Sequence, residues 1–167
     1  MVFLILGFVS CKDNPGEIPL PGIGSRAPDF SLQDLNGHTW RLADCRGRLL
    51  LVRFWADWCP YCRFEMPVID KYYRKLSSQG FLVLAVNVKQ SAQVAEVFAV
   101  QMNMSMPVLL DSRGDLAGQY GVYAIPTNFL IDRQGIIREI LIGEVFREEK
   151  PLQDLLQKYL PEKQAPH

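Results

Sequence analysis

The sequence predicts an α/β fold: a central mixed β-sheet flanked by helices, with an added β-hairpin on its N-terminal side. Three observations lead there. Residues 49–55 form an apolar run broken only by Arg53, and residues 81–88 form a second; runs of this length read as strands covered on both faces. Apolar residues then recur at helical spacing. Cys62, Met66, Ile69, Tyr73 and Leu76 follow the first run, and Val94, Val97 and Phe98 follow the second. Residues 127–131 and 136–142 flank Asp132-Arg133-Gln134-Gly135, which reads as a hairpin. Strands that alternate with helices make an α/β sheet, and the late hairpin makes it mixed.

The other elements follow in order. Residues 29–32 alternate polar and apolar, Asn36-Gly37 is a tight-turn pair, and residues 40–42 return as the second strand of the added hairpin. Pro67 should kink the first helix and Gly80 should end it. Residues 106–111 start as a strand and run out at the turn Ser112-Arg113-Gly114. Leu152, Leu155, Leu156, Tyr159 and Leu160 describe a closing amphipathic helix.

At 167 residues the chain is long enough for one domain with a short extension. Apolar residues make up 49% and charged residues 22%, which excludes wholesale disorder. Lys plus Arg and Asp plus Glu both number 18, and no basic run occurs, so no nucleic-acid partner is expected. The two histidines, His38 and His167, exclude a multi-histidine metal site.

Residues 1–10 are nearly all apolar, too short a run to span a bilayer but suited to the apolar stretch of a secretory signal. The stretch ends Gly7-Phe8-Val9-Ser10-Cys11, which resembles a bacterial lipobox, with Phe8 where Leu is usual. Cys11 is therefore a lipidation candidate; a simple signal and a buried structural segment are the alternatives. Residues 1–11 form this segment, 12–25 a Pro- and Gly-rich tether, 26–161 the domain and 162–167 a polar tail. A secretory segment places the domain outside the cytoplasm, facing the bacterial cell envelope or periplasm and anchored to the membrane, where thiols can be oxidised.

Cys59-Pro60-Tyr61-Cys62 falls where a buried strand hands over to a helix. A helix N-terminus carries unpaired N–H groups and the positive end of the dipole, and both stabilise a thiolate. A cysteine of pKa about 8.5 is only about 3% thiolate at pH 7, and lowering it to about 6.5 makes it about 75%. Cys59 is thus the candidate nucleophile. Cys62, one turn on, can close a disulfide with it and is expected to be the more buried, resolving thiol. Pro60 suits the first turn, where its missing N–H costs nothing. Half of a zinc site and a purely structural disulfide are the rival readings. A structural zinc wants further paired ligands that Cys11, Cys45, His38 and His167 do not supply, so no metal is expected.

The segment Phe54-Trp55-Ala56-Asp57-Trp58-Cys59-Pro60-Tyr61-Cys62-Arg63 resembles the active-site stretch of the thioredoxin superfamily. More closely, the chain resembles its extracytoplasmic TlpA-like and ResA-like thiol–disulfide oxidoreductases. Ala27-Pro28-Asp29-Phe30 with Asn36-Gly37, then Glu65-Met66-Pro67, and Tyr120-Gly121-Val122 through Ile125-Pro126-Thr127 carry that likeness, which spans residues 25–160. The resemblance implies a thioredoxin fold with an added hairpin and a redox-active Cys59–Cys62 disulfide, with no other cofactor. It implies a cis Ile125-Pro126 bond in a loop Ile125-Pro126-Thr127 that docks the substrate backbone beside the CxxC. It also implies envelope protein thiols or disulfides as partners, apocytochrome c thiols among them, with a membrane or periplasmic electron donor.

Trp58 and Tyr61 flank the site. Arg53 stands where thioredoxins carry a buried Asp base, and it cannot serve as one. It either holds a thiolate electrostatically or forms a structural ion pair. Asp57 and Glu65 are the nearby candidate bases, each also readable as a solvated surface charge. Pro-Tyr between the cysteines is also the glutaredoxin dipeptide, while the Thr/Ser-x-x-Cys context of peroxiredoxins is missing. A non-catalytic binding module on the same fold is the rival of a different class. Cys45 reads as a small buried apolar residue.

Overall fold

The computed structural model describes residues 20–160. The segment 1–11 with Cys11, most of the tether and the tail lie outside them. The elements run β1 (Ser31–Gln33), β2 (Thr39–Arg41), β3 (Leu49–Trp55), α1 (Pro60–Leu76), β4 (Phe81–Val88), α2 (Ala92–Gln101), β5 (Val108–Asp111), α3 (Asp115–Gln119), β6 (Thr127–Ile131), β7 (Ile137–Ile142) and α4 (Glu149–Tyr159). The five-stranded sheet has the order β5-β4-β3-β6-β7. β3 pairs parallel with β4 and antiparallel with β6, so the sheet is mixed, as expected. β1 and β2 form the separate hairpin, whose turn has Gly37 at φ 78° and Asp34 Oδ1 accepting from the amides of Asn36 and His38.

β3 and β4 are buried along their whole length, as their apolar runs, interrupted only by Arg53 and Asn87, predict. Successive side chains of a strand alternate faces. Leu49, Leu51 and Trp55 enter the core shared with α1, α2 and α4, while Leu50, Val52 and Phe54 enter the second core, with Phe30 of the hairpin segment and Leu116 of α3. The central position of β3 carries its C-terminal end, and the CxxC beyond it, to the middle of one sheet edge.

Two expectations need correction. α2 does not bury the face Val94, Val97 and Phe98. The two valines are exposed, and Ala95, Phe98 and Ala99 are buried. The alanines let the helix approach the sheet closely, and Phe98 fills the gap against Trp55, with ring centroids 4.4 Å apart. The run after Ser112 is not only a turn. It continues into the short helix α3, whose first amides at Leu116 and Ala117 donate to the Asp111 carboxylate. α1 runs through Pro67 as one helix, and a short turn ends at Gly80 with φ 93°.

Arg53 interrupts the apolar face of β3 and is fully buried. Its phase is that of Leu51 and Trp55, so it points at α1 and meets Glu65, which is also fully buried. Arg53 Nη2 donates to Glu65 Oε2 at 2.8 Å and Nη1 donates to Asn128 Oδ1 of β6 at 3.0 Å. Glu65 Oε1 accepts from the Val145 amide at 2.5 Å and from the Phe146 amide. The reading of Glu65 as a solvated surface charge is therefore wrong. At helical spacing it shares the buried face of Cys62 and Ile69, and a carboxylate survives there because every oxygen is bonded. Burial pulls the Arg53 pKa down, and the charge of Glu65 and its hydrogen bond oppose that shift.

Leaving one charge of such a pair uncompensated in the core costs about 3–5 kcal/mol. Glu65→Leu should lower unfolding free energy by about that amount in denaturant titration. Adding Arg53→Met should recover only part of it, because the amides of Val145 and Phe146 still lack their acceptor. Full additivity of the two single effects would contradict the pairing.

Candidate functional site

Trp55 closes β3, and the chain turns through Ala56, Asp57 and Trp58 into α1. The turn is held from β4: Gln90 accepts from the Asp57 amide at 2.9 Å and from Asn87 Nδ2 at 2.8 Å, and its own Nε2 donates to Asp57 Oδ1. Asp57 is half-buried and bonded into this clamp, so it is not a freely solvated charge. Sequence reasoning missed Gln90, Asn87 and Asn128. Polar residues inside or just beyond buried strand runs were the available signal.

Cys59 is the N-cap of α1, Pro60 its first residue, and Cys59 Sγ accepts from the Cys62 amide at 3.2 Å. The two cysteines are disulfide-bonded, with Cα atoms 5.3 Å apart. The expected contrast in burial is absent in this oxidised state: Cys59 is 1% exposed and Cys62 0%. As the N-cap, Cys59 turns its sulfur back onto the first helical turn instead of outward. What is exposed instead is aromatic: Trp58, Tyr61 and Phe64, the neighbours of the two cysteines along the chain.

β6 brings the second component. Thr127 lies opposite Phe54 in the antiparallel β3–β6 pair, so the residues before it fall beside the stretch that leaves β3 for Cys59. Ile125-Pro126 is cis, as the resemblance implied. Pro126 O accepts from the Gly143 amide at 2.8 Å and Thr127 Oγ1 donates to Ala124 O at 2.7 Å, which pins the loop on both sides. Ile125 packs against the core that contains both cysteines. Neither its N–H nor its C=O has a partner among the described residues.

The structure thus brings Cys59, Cys62, Trp58, Pro60, Tyr61 and the loop Ile125-Pro126-Thr127 to one end of the sheet. Arg53 and Glu65 lie beneath, on the buried side of α1. The structural ion pair is the arrangement observed for Arg53. Cys45 is buried and free, as expected, and burial pushes its thiol up to about 11.

Residues 23–140 match the model of the AhpC/TSA family. The chain is 39% identical over 149 residues to the thiol-disulfide oxidoreductase ResA of Geobacillus thermodenitrificans, covering 89% of this chain and 86% of the relative. It is 39% identical over 127 residues to ResA of Geobacillus kaustophilus, covering 76% and 73%. A crystal structure of a Chlorobium tepidum chain assigned as thiol:disulfide interchange protein DsbE superimposes with a TM-score of 0.78 at 32% identity, covering 84% of this chain and 99% of that one. With this extent of similarity, a mixed sheet of thioredoxin type and a bonded CxxC at a helix start, the chain belongs to the AhpC/TSA family as a ResA-like thiol–disulfide oxidoreductase.

Proposed function

We propose that the protein reduces disulfides of envelope proteins through the Cys59–Cys62 pair, with the thiols of apocytochrome c as one substrate class. The observation that carries the reading is the pairing of that disulfide at the N-terminus of α1 with the backbone of Ile125, which has no partner among the described residues, beside the buried Pro126.

In the reduced protein the Cys59 thiolate, stabilised by the amides and dipole of α1, attacks one sulfur of a partner disulfide. A Cys59–partner bond forms and the other partner sulfur leaves as a thiolate. The Cys62 thiolate then attacks the Cys59 sulfur. The Cys59–Cys62 disulfide forms and the second partner thiolate leaves. Two electrons pass to the partner, whose thiolates take up two protons from water. A membrane or periplasmic electron donor returns the pair to the dithiol. The disulfide is the only redox group the cycle needs. Ile125 would hold the partner's backbone by strand-like hydrogen bonds, and Pro126, having no N–H, leaves no unsatisfied donor beside the sulfur. The segment 1–11, through a lipid on Cys11 or through the signal itself, would keep the domain at the membrane facing the periplasm.

In the reduced protein, the alkylation rate of Cys59 against pH should show a midpoint below the free value of about 8.5. Cys45, its thiol pushed up to about 11 by burial, should stay unlabelled over that range. A Cys59 midpoint at or above the free value contradicts the assignment of the nucleophile.

Cys62→Ser should accumulate mixed disulfides with envelope proteins, identifiable by mass spectrometry, and Cys59→Ser should not. Equal trapping by the two variants would refute the division of roles. In cells given labelled palmitate, the protein should take up label and its Cys11→Ala variant should not.

A further inference from the structure

A groove of ≈500 Å³ opens beside the turn that leads into Cys59, with walls that include Trp58, Val88, Lys89, Val122, Tyr123 and Ile125. Clefts of this size take a small ligand or a few residues of an extended peptide. Its lining includes Trp58, the neighbour of Cys59, and Ile125, the neighbour of Pro126. The groove is therefore continuous with the docking loop proposed above. Trp58 and Tyr123 are both exposed, so their rings are available to a partner.

Among the lining residues Lys89 alone is charged, and no carboxylate faces it there. The ion-paired lysines among the described residues are Lys71, Lys150 and Lys158, and Lys89 is not one of them. Its position is nevertheless built. The Lys89 amide donates to Asp111 O at 2.9 Å, and its φ is 56°, in the left-handed region that favours glycine. A lysine found where glycine would sit without strain, at the rim of a reactive site, points to use of its side chain. The aliphatic stem lies across Gly114, where a Cβ would fall 2.5 Å from Lys89 Cε. Gly114, itself at φ 78°, leaves the space that the stem occupies.

We infer that Lys89, on the wall of this groove, selects partners that carry an acidic residue beside the reacting cysteine, next to apolar or aromatic ones. The inference rests on the thiol-exchange reading. It adds to it the chemistry of the segment recognised. An exposed ammonium on a groove of mixed polar and apolar lining attracts a carboxylate, repels a cation and acts mainly on encounter and register.

The test uses the full, pre-reduced chain and two disulfide-linked peptide dimers that differ only in carrying glutamate or lysine on both sides of the cysteine. Each rate is divided by the same variant's rate with hydroxyethyl disulfide, which cancels any general effect on the thiols. The wild type should favour the acidic peptide by about 5-fold at low ionic strength, and the ratio should shrink as salt is added. Lys89→Met, which keeps the stem and removes the charge, should bring the ratio near unity, and Lys89→Glu should reverse it. Gly114→Ala, which displaces the stem, should lower it as well. An unchanged ratio in Lys89→Met and Lys89→Glu overturns the inference alone. A ratio that varies with protein concentration would put a second copy in the groove and also overturns it. Failure of the wild type to reduce hydroxyethyl disulfide would overturn the exchange reading, and this inference with it.

Discussion

The buried pair Arg53–Glu65 is the interaction on which the arrangement around the CxxC depends. Moving two charges into a core costs several kcal/mol for each ion, and the loss is offset only as far as geometry and hydrogen bonding satisfy both groups; of the pair's side-chain polar atoms, Arg53 Nε alone has no partner among the described residues. Here the bonds come from four places: the guanidinium on β3, the carboxylate on α1, the Asn128 side chain on β6 and the amides of Val145 and Phe146 before α4. No two of these elements can shift relative to one another without exposing an unpaired charge or amide to the core. The same four elements carry or adjoin the disulfide and the Pro126 loop. A requirement of charge satisfaction thus becomes a constraint on the geometry of the site.

That constraint explains how so small a reactive centre is held. The disulfide bridges the N-cap and the first turn of α1, and its burial removes the sulfurs from casual solvent contact. The exposed Trp58, Tyr61 and Phe64 adjoin the two cysteines in the chain, and Trp58 and Ile125 line the neighbouring groove. The Asn87–Gln90–Asp57 clamp holds the turn from the β4 side, and the Gly143 amide holds Pro126 from the β7 side. The reactive atoms are presented by rigid elements, and the surrounding loops supply shape. Such preorganisation favours a particular approach of a peptide over exchange with any thiol.

Much of this was readable in advance. The two buried strands, the late hairpin and the closing helix follow from apolar periodicity, which is local. Cys59 and Cys62 lie three positions apart at a strand-to-helix junction, so both their proximity and the helix-dipole argument need only that junction. Pro126 is different. Nothing near it in the chain marks it as a partner of Cys59, and only its likeness to a family motif pointed there. The α2 face was misread because Val94 and Val97 match a helical stripe as well as Ala95 and Ala99 do; close approach to the sheet selected the smaller residues.

The amino-acid sequence by itself determined the succession of strands and helices and the identity of the reactive pair, because backbone periodicity and helix-end electrostatics act over a few neighbouring residues. Tertiary structure alone decided what Arg53 and Glu65 do. A charge inside an apolar run reads the same whether it snorkels to solvent or meets a counter-charge, and here the register of β3 against β6 and the rotation of α1 brought its partners within reach. It likewise decided that Cys59 is as buried as Cys62, and that the Lys89 stem crosses Gly114 at the rim of the site. These outcomes rest on packing between segments remote in sequence, where a contact is set by the positions of whole elements and not by the composition of any one of them.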